Sequence, residues 1–381
     1  MDAKAAMQER SELFENAFDF KHNPRVPMLS NFWTWKYLDA GYDLNEALYD
    51  YEVMDKVITD FHELYRFDAY MEVGFRNPMR VAQALGGGFH YVDESGEALL
   101  IDDNVTLERD EYIEFATDPT AFYWSKLLKR TAKPGLTLRE LKNAVMEFMA
   151  FGEFVQRMNG KLANEFGALS TQSQAGMAFM PLDNFFIGLR GMKELAIDIV
   201  KCKDVVREAL EIIYQQQLVP QLANAANIDQ TGCIAQLGSV FFAHSILSVK
   251  NFEELYWPYL KKFIDVEAAN HLRMFIFCES AMLRFAEFFE DVPKGVLMIH
   301  VEQDDIFEFR RRLPNIAVSG GMPTRLLGYG TPEECVDYAK RLIDTLGEGY
   351  VMSQDKMMSY RKDARRENLL AVNDFVLNYS Y

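Results

Sequence analysis

Short apolar runs that end at a turn or a polar cluster recur along the chain, and each is followed by a stretch of helical periodicity. In order, these runs predict strands at Val26–Ser30, Asp68–Val73, Gly167–Thr171, Cys233–Leu237, Met274–Cys278, Gly295–Val301, Ile316–Ser319 and Tyr350–Ser353. Strands that alternate with helices build βαβ units and hence a parallel sheet. Eight of them predict closure into an α/β fold of the (β/α)8 TIM barrel type.

The helical stretches carry their own punctuation. Asn251-Phe252-Glu253-Glu254-Leu255-Tyr256-Trp257 opens a helix that Pro258 is expected to bend or loosen. Thr331-Pro332-Glu333-Glu334 supplies an N-cap, a first-turn proline and two acids facing the helix dipole. Its apolar face runs through Val336, Ala339, Leu342 and Ile343 to a stop at Gly347. A polar helical pattern opens at Met1-Asp2-Ala3-Lys4, so helix precedes the first strand. Phe89–Leu107 predicts a hairpin turning at Glu94-Ser95-Gly96-Glu97, within an insertion over about residues 86–165. An insertion after a strand's C-terminal end lies over the barrel mouth, where it serves as a lid or a dimer contact. Gly86-Gly87-Gly88 reads as a hinge, because no phosphate-loop lysine follows it. No linker or repeat divides the chain, so residues 1–381 are read as one barrel domain.

Composition narrows the partners. The chain is 49% hydrophobic, enough for a large core, and its net charge of −17 disfavours nucleic acid and anionic membrane surfaces. Small-molecule chemistry remains. The densest basic run, Tyr360 to Arg366, reads as a solvated helix face. Four cysteines without CxxC pairing suggest neither a disulfide framework nor a zinc ribbon, and point to a reducing compartment. No leader-type apolar segment and no run of ~18 apolar residues is present, so the expectation is a cytoplasmic, soluble protein.

In a barrel, function sits at C-terminal strand ends and in the loops beyond them. The predicted strands therefore nominate Asn31 and Trp33 after the first, and Glu72, Phe75 and Arg76 after the second. Gln172 and Gln174 follow the third strand, Gln236 and His244 the fourth, Cys278 and Glu279 the fifth. His300 and Glu302 belong to the sixth, Met322 to the seventh, Ser353 and Gln354 to the eighth. Glu279 is the leading catalytic residue: a carboxylate ending the apolar strand Met274-Phe275-Ile276-Phe277 is costly unless paired, metal-bound or functional. There it would act as a general acid, or else form a salt bridge to Arg76 or Arg284. His300 and Glu302 alternate, so both face one side, either lumen or helix layer. His300 and His244 are the other catalytic candidates. Trp33, Trp35, Phe75, Phe241 and Phe242 form either an aromatic substrate wall or ordinary core.

The second half resembles the uroporphyrinogen decarboxylase superfamily. Asp183-Asn184-Phe185-Phe186-Ile187-Gly188-Leu189-Arg190-Gly191 is similar to its "D-x-L-R-G" helix, and Phe252-Glu253-Glu254-Leu255-Tyr256-Trp257-Pro258 to "F-E-x-F-Y-W-P". Pro293-Lys294-Gly295-Val296 resembles "P-K-G-K-V". Ser319-Gly320-Gly321-Met322-Pro323-Thr324-Arg325-Leu326-Leu327, then Gly330-Thr331-Pro332-Glu333-Glu334, resembles "G-N-x-P-x-x-L-L…G-T-P-E-E". The resemblance is colinear over about residues 180–355.

Two departures shape what the resemblance implies. The porphyrinogen-binding "R-Q-A-G-R-Y" segment is replaced by Leu29-Ser30-Asn31-Phe32-Trp33-Thr34-Trp35-Lys36, which has no arginine to hold a polycarboxylate. The zinc-binding "H-x-C" of the coenzyme-M methyltransferases meets Ile276-Phe277-Cys278-Glu279-Ser280 here, and Ser353-Gln354-Asp355-Lys356 lacks the second cysteine. Zinc would thus rest on Cys278 and Glu279, with an incomplete ligand set. What the resemblance then implies is a methyltransferase of the corrinoid-dependent type. It would move a methyl group from a small O-, N- or S-methylated compound to a corrinoid on a separate protein, since no "D-x-H-x-x-G" motif is present. Asn31, Trp33, Glu72, Phe75, Arg76, Gln172, Gln236, Phe241 and Met322 would seat the substrate. The alternative is a decarboxylase or lyase of a small carboxylated substrate, clamped by Arg76 and Arg190. Relatives of this type often form homodimers.

Overall fold

The computed structural model describes residues 2–71, 78–101, 105–171, 178–225, 227 and 231–381. Ten strands occur among them: β1 (Leu29–Ser30), β2 (Ala69–Tyr70), β3 (His90–Val92), β4 (Leu99–Ile101), β5 (Leu169–Ser170), β6 (Leu237–Phe241), β7 (Met274–Cys278), β8 (Leu297–Val301), β9 (Ala317–Met322) and β10 (Tyr350–Gln354). All but β3 and β4 pair in parallel, as β1-β2-β5 and as β6-β7-β8-β9-β10. Single parallel bridges from Ser170 to Cys233 and from Met28 to Met352 join the two runs at both ends. The ring is closed, and the fold is a TIM barrel.

Three predicted strands shrink to two residues each, and the fourth moves. Cys233 makes only the bridge, and the regular strand starts at Leu237, where the sequence reading ended it. Both stretches are apolar, and an apolar run alone does not mark which of its residues enter the ladder.

Strand alternation sorts the side chains into two layers. Phe275 and Phe277, Met298, Ala317 and Val351 share one buried cluster with Leu29, Ala69, Leu169 and Val240, which is the lumen. Their neighbours Met274, Ile276, Cys278, Ile299, Val318 and Met352 belong to the larger cluster under the outer helices. Phe14, Ala17 and Phe18 of the first helix (Ala3–Phe18) join the lumen cluster and plug the N-terminal end. At the same rim, buried Asp68 accepts a fork from Arg25 at 2.6 and 2.7 Å and the Met28 N–H at 2.8 Å. The lumen therefore opens only toward the C-terminal strand ends.

The hairpin is present as β3 and β4, shorter than predicted, because Thr106 and Leu107 turn away to bond the Leu189 carbonyl. The Asp93 carboxylate closes its turn by accepting the Glu97 and Ala98 N–H groups. Arg361 grips Glu97 at the tip, with its shortest contact 2.6 Å, and Arg366 pairs with Asp39 at 2.7 Å. The basic run is exposed, as expected of a solvated face, and two of its arginines also clasp neighbouring segments. Pro258 does not bend a helix. One helix ends at Leu255, Tyr256 leaves helical geometry at φ −123°, and Pro258 sits in the first turn of the next, Trp257–Ala269. That position costs nothing, since first-turn N–H groups have no intrahelical partner. Thr331 is the expected N-cap, Glu334 returns a bond to its backbone N–H as a reciprocal cap, and Gly347 ends that helix.

Candidate active site at the barrel mouth

His300 is a fully buried polar group of the lumen. It sits on β8, stacks on Phe277 of β7 at 5.0 Å, and its Nδ1 lies 3.4 Å from the Ser319 hydroxyl on β9. Asn31, just past β1, reaches its Nε2 at 3.2 Å. Gln354 at the end of β10 accepts the Asn31 backbone N–H at 3.1 Å, and the Ser353 hydroxyl donates to the Leu29 carbonyl at 2.8 Å. Burial alone pushes the His300 imidazole down to about 3, so the ring is neutral. Gly320 explains how the strands come this close. It has φ +112°, and a Cβ there would lie 2.8 Å from the Val301 carbonyl and 3.4 Å from the His300 ring.

Carboxylates ring the rim above. Glu279, one residue past β7 and in alternation with the lumen residues Phe275 and Phe277, is half-buried. The next residue, Ser280, turns with φ +72°, and its N–H donates to Glu302 at 2.8 Å. Burial raises the Glu302 carboxyl above its ordinary value. The Ser280 bond opposes that rise, the Asp355 charge adds to it and Lys356 lowers it. Asp355 is raised by its own burial, and accepts the Thr324 N–H at 3.0 Å. Asp304 caps the turn after β7 through the Met282 and Leu283 N–H groups. Beside the acids, Phe242 follows β6 next to Glu279 and packs onto the lumen cluster, its ring near-parallel to Phe179 at 6.4 Å and to Phe186 at 6.3 Å. The mouth changes from aromatic to acidic between β6 and β7.

Several nominated residues lie elsewhere, and strand alternation is the common cause. Cys278 faces the helix layer with Met274 and Ile276, opposite to Glu279, so the two cannot ligate one ion. Among the described residues no three His, Cys, Asp or Glu side chains converge as metal ligands, and the nominated zinc pair does not fit a metal. His244 is buried in the same outer layer, 3.6 Å from the Cys278 sulfur and beside Phe285, with its imidazole pushed down to about 3 by burial. Phe241 also faces outward, edge-on to Tyr256, and its neighbour Phe242 takes the lumen side. Met322 packs in the outer cluster. Gln236 precedes β6 and accepts the Arg273 N–H, which puts it at the closed end of the barrel. Trp33 packs on the insertion side, edge-on to His90 of the hairpin, and Trp35 is core. Arg190 is no free clamp: it donates to Asp198 at 2.6 Å and to the Leu107 carbonyl at 3.0 Å. Arg284 is held by the His244 and Ser245 carbonyls. Glu72, Phe75, Arg76, Gln172 and Gln174 lie outside the described residues.

Ser319, Asp355, Lys356 and Phe179 were missed. Asp355 sits one residue from the nominated Gln354 and Ser319 three from the nominated Met322, and knowing the strand register would have found them.

A closed parallel barrel with its polar groups gathered at the C-terminal mouth is the architecture of a TIM-barrel enzyme. Residues 175–361 match the family model described as uroporphyrinogen decarboxylase. Among solved structures, the chain is similar to a methyltransferase from Methanosarcina mazei, with a TM-score of 0.63 and 15% identity, over 96% of this chain and 98% of that one. No curated protein sequence matches the chain. That family match covers just under half of the chain, and the likeness in fold extends over nearly all of it.

Proposed function

We propose that the protein is a methyltransferase that takes a methyl group from a small O-, N- or S-methylated compound and passes it to a corrinoid carried by a separate protein. The observation that carries this reading is the rim itself: carboxyls of Glu279 and Glu302, the latter raised by burial, stand over a lumen whose only histidine is neutral. Such a mouth holds a proton for a departing heteroatom but offers no strong nucleophile and no carboxylate clamp among the described residues. Likeness in fold to a methyltransferase supports the same class. The reduced cobalt of a bound corrinoid would supply the nucleophile. This chain's own residues do the rest. Phe179, Phe186 and Phe242 seat the donor and exclude water. The Asn31 amide and His300 set the lumen's polar floor, and Glu279 or Glu302 delivers a proton to the heteroatom that loses its methyl group. No step runs through zinc.

The test is methyl transfer to free, chemically reduced cobalamin, followed by its absorbance, with a panel of methylated ethers, amines and thioethers. Transfer from one donor class that either Glu302→Gln or Glu279→Gln slows by about 10²-fold or more supports the reading. A protein that demethylates nothing in the panel, with either free cobalamin or a corrinoid protein as acceptor, overturns it.

A further inference from the structure

The insertion contains a 29-residue helix, Leu138–Phe166, that uses only one of its faces. Ala144, Phe151, Phe154, Met158 and Leu162 are buried against the protein. On the outward side, Leu138 is 85% exposed, Phe148 63%, Met149 54%, Met146 53% and Val145 46%. Leu138, Leu141, Val145, Phe148 and Gly152 follow one another at alternating intervals of three and four residues, the spacing of a helix–helix seam. A solvated helix face carries charge at such positions, so this stripe is covered by something. At Gly152 an added Cβ would meet nothing within 4 Å, so the seam has an open step where a second helix approaches closely.

Charge identifies the occupant. Charged side chains that turn toward the rest of the chain are paired: Lys133 with Glu140, Arg80 with Glu147, and both Arg157 and Lys161 with Asp55. Lys142 and Glu153 are exposed and have no partner among the described residues. They stand eleven residues apart, about three turns, and so on the same flank of the stripe. If two copies of this helix pack antiparallel about a two-fold axis centred between Glu147 and Phe148, Lys142 of each copy faces Glu153 of the other. The same axis sets Met146 against Met149. Pairings that the axis repeats in this way are what an isologous interface requires. The large apolar side chains on it would bury roughly 1,000 Å² counting both copies, at the lower limit of a specific interface before the flanking residues are added.

We propose that the outer face of helix Leu138–Phe166 is a homodimer interface, formed by antiparallel packing against the same helix of a second copy. Sedimentation and light scattering of the full-length chain should give twice the 44.0 kDa protomer mass, dissociating on dilution. Met149→Glu should weaken the dimer at least about tenfold while leaving the circular dichroism and melting temperature of the protomer intact. Lys142→Glu and Glu153→Lys should each weaken it, and the double variant should recover most of the loss. A chain that stays at protomer mass at about 100 μM, where micromolar interfaces are saturated, overturns the proposal. So does a dimer indifferent to Met149→Glu, or a double variant no tighter than the single ones. Loss of capture of a corrinoid protein by Met149→Glu, with the wild type at protomer mass, would assign the face to that partner instead.

Discussion

The Asn31 side-chain amide meets Nε2 of His300 at 3.2 Å, linking the loop after β1 to β8 across the lumen. With the amide NH2 directed at the ring, Nε2 accepts, and the imidazole's single proton sits on Nδ1 beside Ser319. His300 should therefore stay neutral, in the Nδ1–H form, throughout pH 5 to 8, consistent with a value near 3. Its imidazole nitrogens in a two-bond 1H–15N spectrum report this directly. Asn31→Asp places a carboxylate on the same nitrogen and should bring the titration up into the observable range. An imidazolium signal in the wild type at pH 6 would refute the assignment.

Glu267 is the most conspicuous unpaid polar group. It is fully buried on the helix Trp257–Ala269, and among the described residues neither carboxylate oxygen has a hydrogen-bond partner. Burial raises its carboxyl well above the ordinary 4.5. Above that unfolded value the native state binds the extra proton, so stability falls as pH rises from about 4.5 through the raised native value. Glu267→Met removes the cost and should stabilise the protein at pH 8 by about 1–3 kcal/mol, with a smaller gain at pH 5. Urea unfolding at the two pH values checks both sign and trend, and equal gains at both would mean that packing, not ionisation, is responsible.

Arg190 belongs to the fold. Its side chain and that of Asp198 are 5% and 0% exposed, and Asp198 also takes Arg109 at 2.6 Å and the Tyr112 hydroxyl at 3.2 Å. Removing one partner leaves a buried charge, so Arg190→Met should destabilise by about 3–5 kcal/mol. If Arg190 clamped a substrate, the folded variant would instead show a raised KM at unchanged unfolding free energy.

Cys278→Ala should leave bound metal unchanged, because its sulfur points into the helix layer beside His244 and away from the lumen. Elemental analysis of wild type and variant decides this. Stoichiometric zinc in the wild type that the variant loses would show that the outer-layer pair recruits a metal.

The barrel was legible because its determinants are local. Apolar runs, the Thr331 cap, the Gly347 stop and the Asp93 turn each act within a few residues. Which side of a strand a residue faces is different, because it depends on a register set by partners far away in sequence. That is why Phe241 was chosen where Phe242 faces the lumen, and why Cys278 was coupled with a neighbour on the opposite face. His300 illustrates the same limit. Its alternation with Glu302 shows a shared side, but only the contacts with Asn31, Ser319 and Phe277 reveal that the side is the lumen. Gln236 failed for a plainer reason: the strand begins after it, and four residues of slippage moved it from the mouth to the closed end.

The rim acids give the sharpest functional prediction. Glu302 is raised first by burial and then by Asp355, against the Ser280 N–H and Lys356. A group with a raised value keeps its proton to higher pH, so a reaction that needs Glu302 as an acid runs well below its titration and fades above it. The rate should fall on the alkaline side. Glu302→Gln should abolish that limb and cost about 10²–10⁴-fold at its acidic plateau. Asp355→Asn removes the neighbouring charge without removing the acid, so it should shift the limb to lower pH while leaving the plateau nearly intact. A Glu302→Gln enzyme with the wild-type pH profile would exclude Glu302 as the acid. If Glu279→Gln then removed the limb, the proton would belong to Glu279, one strand over on the same rim.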